Sequence, residues 1–236
     1  MRVSFLGVGE AFGASANTSL LVDRRLLLEC GPHTLLQLRR LGVGPDEVEL
    51  VYISHLHGDH FLGLPALLLA FREDGRRKAL TLLGPGELEN VTEELLHISY
   101  GKSLGELPYK VRFLRAGDEL GFMNYRLSFA PTRHSVPAMA ISVAGKKKLT
   151  YACDGAPTEE LVGLASQADL LVAEGYGGGA ATHSSPLLAA QLARRAKVRR
   201  LALVHLWRGL AEEELERARE VFENLFVPAD LETLEI

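Results

Sequence analysis

The sequence predicts an α/β protein in which two sheets pack face to face and helices cover both outer faces, a four-layer αββα sandwich. The apolar runs are short and strand-like, and later in each half of the chain they alternate with segments of helical spacing. Both halves follow this progression, although no short sequence repeat is visible. Two packed sheets with helices outside would bury all of these apolar strands.

The first half opens with an antiparallel meander, because three short apolar runs are separated by Gly, Ser, Asn and charged turn residues. A helix with leucines at helical spacing then ends at Gly42, and the next run, VELVYIS, is continuously apolar, like a strand buried on both faces. A helix, a strand and a helix opened by Pro85 complete the half. In order, the predicted elements occupy residues 2–8, 18–23, 25–30, 32–42, 48–54, 62–74, 79–85 and 85–101.

The second half begins with four predicted strands, which a short helix follows. A strand, a helix, a strand, a helix and a short last strand complete the chain. In order, these elements occupy residues 110–117, 125–134, 139–145, 148–155, 158–165, 169–176, 184–197, 200–207, 212–225 and 231–236.

Length and composition predict one ordered domain over residues 1–236. The chain is 47% apolar and 24% charged, which is ordinary for a globular protein, and 236 residues can bury a substantial core. The formal charge of -4 creates no global positive field, so binding of nucleic acid through bulk charge is not expected. We interpret the basic triplets 76–78 and 146–148 as solvated turn tips.

Cysteine content and the N-terminus predict a cytoplasmic protein. The two cysteines, Cys30 and Cys153, are too few for a disulfide framework and fit a reducing compartment. The N-terminal residues lack the pattern of an export signal, and no apolar stretch approaches the ~20 residues that span a bilayer. We therefore expect neither export nor a membrane partner.

Residues of the types that bind metals follow several of the predicted strands. These residues are His55, His57, Asp59 and His60 in ISHLHGDH, then His134, Asp154 and His205. Imidazole and carboxylate suit zinc, iron and manganese, whereas a structural zinc site would be rich in thiolate. Since no cysteine joins the cluster, the sequence indicates a catalytic metal site.

The spacing within the cluster has a geometric reason. In an extended run, His55 and His57 project to the same side. A turn at Gly58 would then bring Asp59 and His60 around to face a second ion. One short loop could thus serve two metals.

The pattern H-x-H-x-D-H, followed by a later His, Asp and His, resembles the metallo-β-lactamase superfamily over essentially the whole chain. The resemblance implies two divalent ions. One would be held by His55, His57 and His134 and the other by Asp59, His60 and His205, with Asp154 bridging. Zinc is the default from ligand type, with manganese and iron as alternatives. Two such cations would make hydroxide available near neutral pH, which favours hydrolysis.

Three further stretches resemble the ribonuclease Z branch of that superfamily: HSVPA around His134, ADLLVAEGY with Glu174, and THSSPLLAAQLA with His183. The resemblance implies that Glu174 and His183 handle the proton of the leaving group, and Asp59 is a candidate general base. The alternative for His183 is a polar residue at a helix start, where Ser184 or Ser185 could be the cap before Pro186.

This chain departs from the ribonuclease Z pattern in two respects, and both argue against processing of transfer RNA. Ribonuclease Z carries a long arm that grips the RNA, but between His134 and Asp154 this chain has room only for a tight strand pair. The early loop also offers no cation between Phe12 and Leu21, and affinity for a large polyanion depends on such contacts. We therefore expect a phosphodiesterase that acts on a small or unstructured phosphodiester, such as a small molecule or a short nucleic acid. A homodimer is the base-rate expectation.

Two other functions stay open. A thioester or lactone hydrolase with the same two ions would need no leaving-group histidine, because a thiolate leaves readily. A metal-stabilised binding protein without turnover is the second alternative. The complete set of ligand types argues against it.

Candidate substrate residues follow the metal ligands in the sequence. Gly177 and Gly178 belong to a glycine run that could approach a ligand closely or serve as a plain connection. Arg208, three residues after His205, could grip a phosphate oxygen through paired N–H donors or be an ordinary surface arginine.

Overall fold

The computed structural model describes residues 1–177 and 181–236, which contain two mixed sheets of seven strands each. The strands are β1 (Arg2–Gly7), β2 (Ser19–Val22), β3 (Leu26–Leu28), β4 (Leu50–Tyr52), β5 (Leu80–Gly84), β6 (Val111–Arg115), β7 (Leu120–Phe122), β8 (Tyr125–Thr132), β9 (Ala138–Ala144), β10 (Lys148–Tyr151), β11 (Leu170–Glu174), β12 (Leu201–Val204), β13 (Leu225–Phe226) and β14 (Thr233–Glu235). The helices are α1 (Thr34–Arg40), α2 (Gly58–Phe61), α3 (Leu64–Glu73), α4 (Leu88–Tyr100), α5 (Glu159–Ala165), α6 (Pro186–Arg195) and α7 (Glu212–Val221), with a 3-10 turn at Leu104–Glu106.

Each sheet has an antiparallel side and a parallel side. The strand order is β14-β1-β2-β3-β4-β5-β6 in the first sheet and β13-β12-β11-β10-β9-β8-β7 in the second. Strands β1 to β3 and β7 to β10 pair antiparallel, whereas β3 to β6 and β10 to β13 run parallel. The loop 8–18 joins β1 to β2. Parallel neighbours need crossover connections, and the helices supply them.

The two sheets share a core, and the helices cover their outer faces. Phe5 and Tyr52 of the first sheet belong to the same buried cluster as Tyr151 and Val172 of the second. A second cluster lies between the first sheet and α1, α3 and α4, and a third lies between the second sheet and α5, α6 and α7. Each leucine or valine buried in this way contributes about 1.5–3 kcal/mol of hydrophobic free energy. The predicted αββα sandwich is confirmed.

The candidate ligands meet because of this topology. Strand β4 of the first sheet ends before the segment 53–60, and β8, β10 and β12 of the second sheet end before His134, Asp154 and His205. Strands β8 and β10 both pair antiparallel with β9, and β12 runs parallel to its neighbour β11, so these three strands point the same way. Their carboxyl ends therefore lie at one edge of the second sheet, and the loop after β4 faces them across the sandwich.

Several short elements differ from the sequence predictions. Strands β7 and β13 were not expected, and residues 58–61 form the short helix α2 where only a turn was expected. Helix α4 begins at Leu88, so Pro85 precedes it. The last helix ends at Val221, because Leu225 pairs with Leu201 in the second sheet. The unexpected elements β7, β13 and α2 have two to four residues each, too few to show a periodic pattern.

The interpretation of triplet 76–78 as a solvated turn tip is wrong for Arg76. Its side chain is buried, and the guanidinium donates to the carbonyls of Pro45, Lys78 and Ala79. The rings of Phe71 and Tyr109 lie 5.1 and 5.4 Å from the guanidinium carbon. Five-donor guanidinium groups can be buried where carbonyls satisfy them, and Arg76 thereby links three chain segments.

Within the described residues, no helix combines the length and apolarity needed to cross a bilayer. Cys30 and Cys153 are both buried and carry free thiols.

Candidate metal centre and active site

The loop after β4 is held in a single shape by close packing. A Cβ at Gly31 would lie 2.0 Å from the carbonyl oxygen of Asp59, so only glycine permits the approach of this segment to α2. The Cys30 amide donates to the carbonyl of His60 over 2.7 Å. The side chains of Asp59 and His60 are thus set by the segment that follows β3, which the sequence did not single out.

Three imidazoles form the first group of candidate ligands. The Nδ1 atom of His57 lies 3.1 Å from the Nε2 atom of His55 and 3.1 Å from the Nε2 atom of His134. The His134 Nδ1 atom donates to the Thr182 carbonyl over 2.7 Å, and its Nε2 atom is the one that faces His57. For metal–nitrogen bonds of about 2.0 Å, the edge of a tetrahedron is about 3.3 Å, so these spacings fit one ion.

Two imidazoles of this group, those of His55 and His57, have lowered pKa values, which favours the neutral form that binds metals. Burial, with a contribution from His60, lowers the pKa of His55 to about 2. Burial and the neighbouring His134 also lower the pKa of His57. Neither ring therefore carries a proton that would compete with a metal near neutral pH.

Asp59, His60 and His205 form the second group, and Asp154 lies beside it. The Nε2 atoms of His60 and His205 each lie 3.3 Å from Asp59 Oδ2 and 3.4 Å from Asp154 Oδ2. Against the effect of burial, Asp154 and the other facing carboxylates raise the pKa of His205 to about 10. His205 also has a left-handed backbone conformation with φ 54°, rare for a residue other than glycine, which aims its ring into the group.

Two buried carboxylates stand behind these histidines. Glu174 Oε2 accepts the Gly155 and Ser184 amides, and its Oε1 lies 2.5 Å from His183 Nδ1 and 3.3 Å from His205 Nδ1. Glu29 Oε2 accepts the Ser54 amide, and its Oε1 lies 3.7 Å from His60 Nδ1. A carboxylate behind a histidine orients the ring and makes the other nitrogen a better ligand.

The donor set fits divalent metal ions. Among the described residues, the Nε2 atom of His60, which faces Asp59 and Asp154, is buried without a hydrogen-bond partner. Unpartnered buried polar atoms are rare, and coordination is one way to satisfy them. Nitrogen and oxygen donors in two adjoining groups are the ligands that zinc, iron and manganese accept.

His183 lies beside the two groups, and its Nε2 atom has no hydrogen-bond partner in the part of the chain that the structure describes. Its Nδ1 atom is held by Glu174, and this hydrogen bond raises the pKa of the imidazole. The Tyr176 ring stacks on His183 with centroids 4.6 Å apart. Ser185, and not His183, caps α6 by accepting the Leu188 amide. A Ser185 cap is what the alternative for His183 also expects, so the cap does not decide between a structural and a catalytic His183.

A cavity of about 330 Å³ opens onto both groups. Its lining combines candidate ligands and catalytic residues with one early loop: Glu10, Ala11, Phe12, His57, Gly58, Asp59, Asp154, Tyr176, His183 and His205. A volume of this size accommodates a small molecule and not a folded macromolecule. Glu174 is absent from the described lining, so its place is behind His183, as a positioning residue.

The predicted substrate residues Arg208 and Gly177 adjoin the cavity lining through other residues. Arg208 Nη1 donates to Glu10 Oε1 over 2.7 Å, and neither Arg208 nor Gly177 is among the described residues that line the cavity. The Cα of Gly177 faces Leu210 and Glu214, where an added Cβ would lie 2.5 Å from Leu210 Cδ1. Arg208 thus forms an ion pair with Glu10, and Gly177 packs against Leu210; their contact with a substrate stays a prediction. Gly178 lies outside the described residues.

The sequence did not single out four of the site residues: Glu10, Phe12, Glu29 and Tyr176. A signal existed for Glu29, since an acidic residue directly follows the apolar run RLLL. Tyr176 closes the stretch that contains Glu174 and could have been included with it. Glu10 and Phe12 lie in a loop whose position beside the site depends on contacts with residues near the end of the chain.

The sandwich and its two donor groups at one edge define the class of protein: a metal-dependent hydrolase of the metallo-β-lactamase superfamily. Within it, the chain belongs to the ribonuclease Z-like branch and to the family described as anti-Pycsar protein Apyc1, whose model matches residues 1–176. The resemblance inferred from the sequence motifs is thereby confirmed.

Two ribonucleases Z are among its relatives. The enzyme of Methanothermobacter thermautotrophicus is 28% identical over 299 aligned positions, which cover 100% of this chain and 97% of the relative. That of Ignicoccus hospitalis is 30% identical over 264 positions, covering 87% and 86%. The first alignment is longer than the 236 residues of this chain, so that relative contains segments that this chain lacks.

A solved structure shows the same fold. The metallo-β-lactamase fold protein YhfI from Bacillus subtilis superposes with a TM-score of 0.83 at 21% identity, over 99% of each chain.

Proposed function

We propose that the protein is a dinuclear phosphodiesterase of ribonuclease Z type that acts on a small or unstructured phosphodiester. One observation carries the proposal. His183, whose Nε2 atom has no hydrogen-bond partner among the described residues, lines the same cavity as two adjoining candidate ligand groups and is held there by Glu174. Phosphodiester hydrolysis needs a proton donor for the departing oxygen, and this arrangement supplies one beside the ligand groups.

The proposed ligand sets follow the two groups: His55, His57 and His134 for one ion, and Asp59, His60 and His205 for the other, with Asp154 between them. When bound, two divalent cations would supply the Lewis acidity that makes water nucleophilic near neutral pH and offsets the charge of a phosphodiester. We propose zinc, with manganese and iron as alternatives, from the mixture of imidazole and carboxylate donors.

The chain's own residues would orient the substrate and move the protons. Water attacks phosphorus, and the bond from phosphorus to the leaving oxygen breaks. His183 Nε2 donates its proton to that oxygen, while Glu174 holds the imidazolium at Nδ1. Asp59 is the proposed general base. Its Oδ2 atom faces His60 and His205, a geometry that also suits a ligand.

The size of the substrate is inferred from the cavity and from the strand pair β9–β10. Residues 145–147 join these strands in a tight turn, so no arm projects between His134 and Asp154. The relatives are ribonucleases Z, which makes RNA a natural source of the phosphodiester. A cavity of about 330 Å³ favours a mononucleotide-sized or single-stranded substrate.

The function can be tested with protein of measured metal content. The substrates are bis(p-nitrophenyl) phosphate, a 2',3'-cyclic nucleotide, a thioester and a lactone. Turnover of the two phosphodiesters alone is the expected result. Turnover of only the thioester or the lactone would refute the phosphodiesterase proposal in favour of the alternative hydrolase. Metal binding without turnover of any substrate would favour a binding protein.

Location and assembly are also proposals. Two buried free thiols support a reducing, cytoplasmic compartment, because such thiols persist where disulfides do not form. We propose a homodimer because twofold-symmetric dimers are the commonest soluble oligomers. Light scattering of the purified chain would decide it, since a monomer mass of 25.8 kDa is the opposing result.

A further inference from the structure

An exposed aromatic side chain stands at the cavity that holds the candidate ligands. Phe12 lines this cavity, yet 81% of its surface is accessible to solvent, the largest exposure among the large apolar side chains described. Burial in the fold therefore does not explain this phenylalanine. An aromatic ring at the mouth of a polar cavity offers a face on which a planar group can stack.

The base of the loop that carries Phe12 is firmly held. The Gly9 amide donates to the Ala16 carbonyl over 2.8 Å, and the Thr18 amide donates to the Gly9 carbonyl over 3.0 Å. Asp230 accepts the amides of Val8 and Ala16 on the two sides of the loop. The loop tip is therefore presented on a fixed support.

A buried carboxylate sets the position of the tip itself. Glu10 is 2% exposed, its Oε2 accepts the Phe12 amide over 2.7 Å, and its Oε1 accepts Arg208 Nη1 over 2.7 Å. A buried charge is stable only when it is paired and hydrogen-bonded, so these contacts depend on one another. Arg208 follows His205 by three residues, and the Glu10–Arg208 pair thus connects the loop to the metal-ligand strand end.

The cavity consequently has two chemically different ends. At one end lie the imidazoles and carboxylates that would hold cations and attract a phosphodiester anion. At the other end lie the Phe12 ring and Glu10, whose charge is paired with Arg208, so the described lining residues of this end offer no unpaired cation to a phosphate. The second end suits the uncharged, planar part of a substrate.

We propose that Phe12 is a specificity-determining residue that stacks on an aromatic ring carried by the phosphodiester, and that the Glu10–Arg208 pair positions it. This inference rests on the proposed phosphodiesterase function. Stacking of a base on a protein aromatic typically changes affinity by about 10-fold or more when the aromatic is replaced by alanine.

The test compares two phosphodiesters with the same leaving group, thymidine 5'-(p-nitrophenyl phosphate) and methyl p-nitrophenyl phosphate. The measured quantity is the ratio of their kcat/KM values. We expect F12A to lower this ratio about 10-fold through the KM of the thymidine ester, and F12W to keep it. The control is I98A on α4, since Ile98 is 79% exposed and does not line the cavity. An unchanged ratio in F12A would overturn the proposal.

The positioning role of Arg208 has its own readout. We expect R208A to lower the same ratio several-fold through KM, and R208K to restore part of it because lysine can still pair with Glu10. An equal loss of kcat for both esters in R208A would mean that Arg208 contacts the phosphate, contrary to the proposed role.

A binding experiment separates this inference from the proposed function. Calorimetry with thymidine 5'-monophosphate and with methyl phosphate requires no turnover. Weaker binding of the nucleotide alone in F12A supports the inference even if neither ester is hydrolysed, a result that would refute the phosphodiesterase function only. Equal nucleotide affinity in F12A and the unmodified protein would refute the inference while leaving hydrolysis intact.

Discussion

Glu174 is the residue through which the two parts of the candidate site depend on each other. One of its oxygens faces both His183 and His205, and the other accepts two backbone amides. The same carboxylate therefore orients a proposed proton donor and a candidate ligand. A change at Glu174 should affect metal binding and leaving-group chemistry together, whereas a change at His183 should affect the second alone.

The role of His183 can be tested by comparing kcat for substrates with different leaving groups. We expect H183A to lower kcat by about 10²–10³ for a substrate with an alkoxide leaving group, because that oxygen needs a proton. For p-nitrophenyl esters the loss should be much smaller, since p-nitrophenolate leaves without protonation. Steady-state kinetics on a dinucleotide and on bis(p-nitrophenyl) phosphate would check this.

The control for that experiment is H97A, at an exposed histidine of α4. It should leave both rates unchanged. Equal losses for the two leaving groups in H183A would show that His183 acts otherwise than as a proton donor.

Glu47 provides a pH-dependent contribution to stability far from the site. The guanidinium of Arg24 donates to both of its oxygens, over 2.6 and 2.9 Å, and this pairing holds the pKa of Glu47 at about 2. Because the folded pKa is depressed, the contribution is present above the unfolded value of 4.5 and is lost as pH falls towards 2. For a pair this exposed we expect about 0.5 kcal/mol.

Urea unfolding of E47Q between pH 7 and pH 2.5 would measure this contribution. The difference from the unmodified protein should shrink as the pH falls. The control is E216Q on the exposed face of α7. A difference that stays constant with pH would contradict the assignment.

At the scale of elements, the contact between the segment after β3 and helix α2 shapes the second ligand group. A Cβ at Gly31 would meet the Asp59 carbonyl at 2.0 Å, so we expect G31A to displace Asp59 and His60. Disturbing the support of a ligand typically weakens metal affinity about 10- to 100-fold. Metal titration would measure the loss.

The matched control for G31A is G163A in α5, where an added Cβ meets no atom within 4 Å. That substitution should leave metal affinity unchanged and stabilise the helix by up to about 1 kcal/mol. Unaltered metal affinity in G31A would show that the loop adjusts without moving the ligands.

The elements also show which features a sequence can reveal. The strands of the core and the long helices were predictable because apolar periodicity records burial directly, as in β4, β11 and α6. The cluster ISHLHGDH was predictable because ligand types crowd into one loop.

Strands β7 and β13, with three and two residues, carry no pattern and form only because a neighbour is in place. Likewise, the burial of Arg76 depends on carbonyls at Pro45 and Ala79, and Glu10 depends on Arg208, contacts that local sequence does not record.

At the scale of the whole molecule, we expect residues 1–236 to behave as one domain, as the composition suggests. Both sheets contribute to one buried cluster, so neither can unfold without exposing the other. Fluorescence of the only tryptophan, Trp207, and far-UV circular dichroism should therefore report one coincident thermal transition. Two separate transitions would contradict a single domain.

Metal binding should raise the stability of the whole fold. A ligand that binds only the folded state at 100 times its Kd contributes about 2.7 kcal/mol, which for a chain of this length corresponds to about 5–10 °C in Tm. Scanning calorimetry with zinc and with a chelator would measure the difference. D154N, which removes a carboxylate charge between His60 and His205, should show a smaller zinc-dependent shift. An identical shift would exclude Asp154 from the site.

The first ligand group joins His55 and His57, which follow the first sheet, to His134, which follows a strand of the second, and the second group is complete only with His205. During synthesis, a ribosome-bound chain that has not yet released β12 offers a nascent site with an incomplete set of donors. If each group binds an ion as proposed, the second ion can bind only after residue 205 has left the ribosome, so a chain truncated before β12 would keep the first ligand group alone.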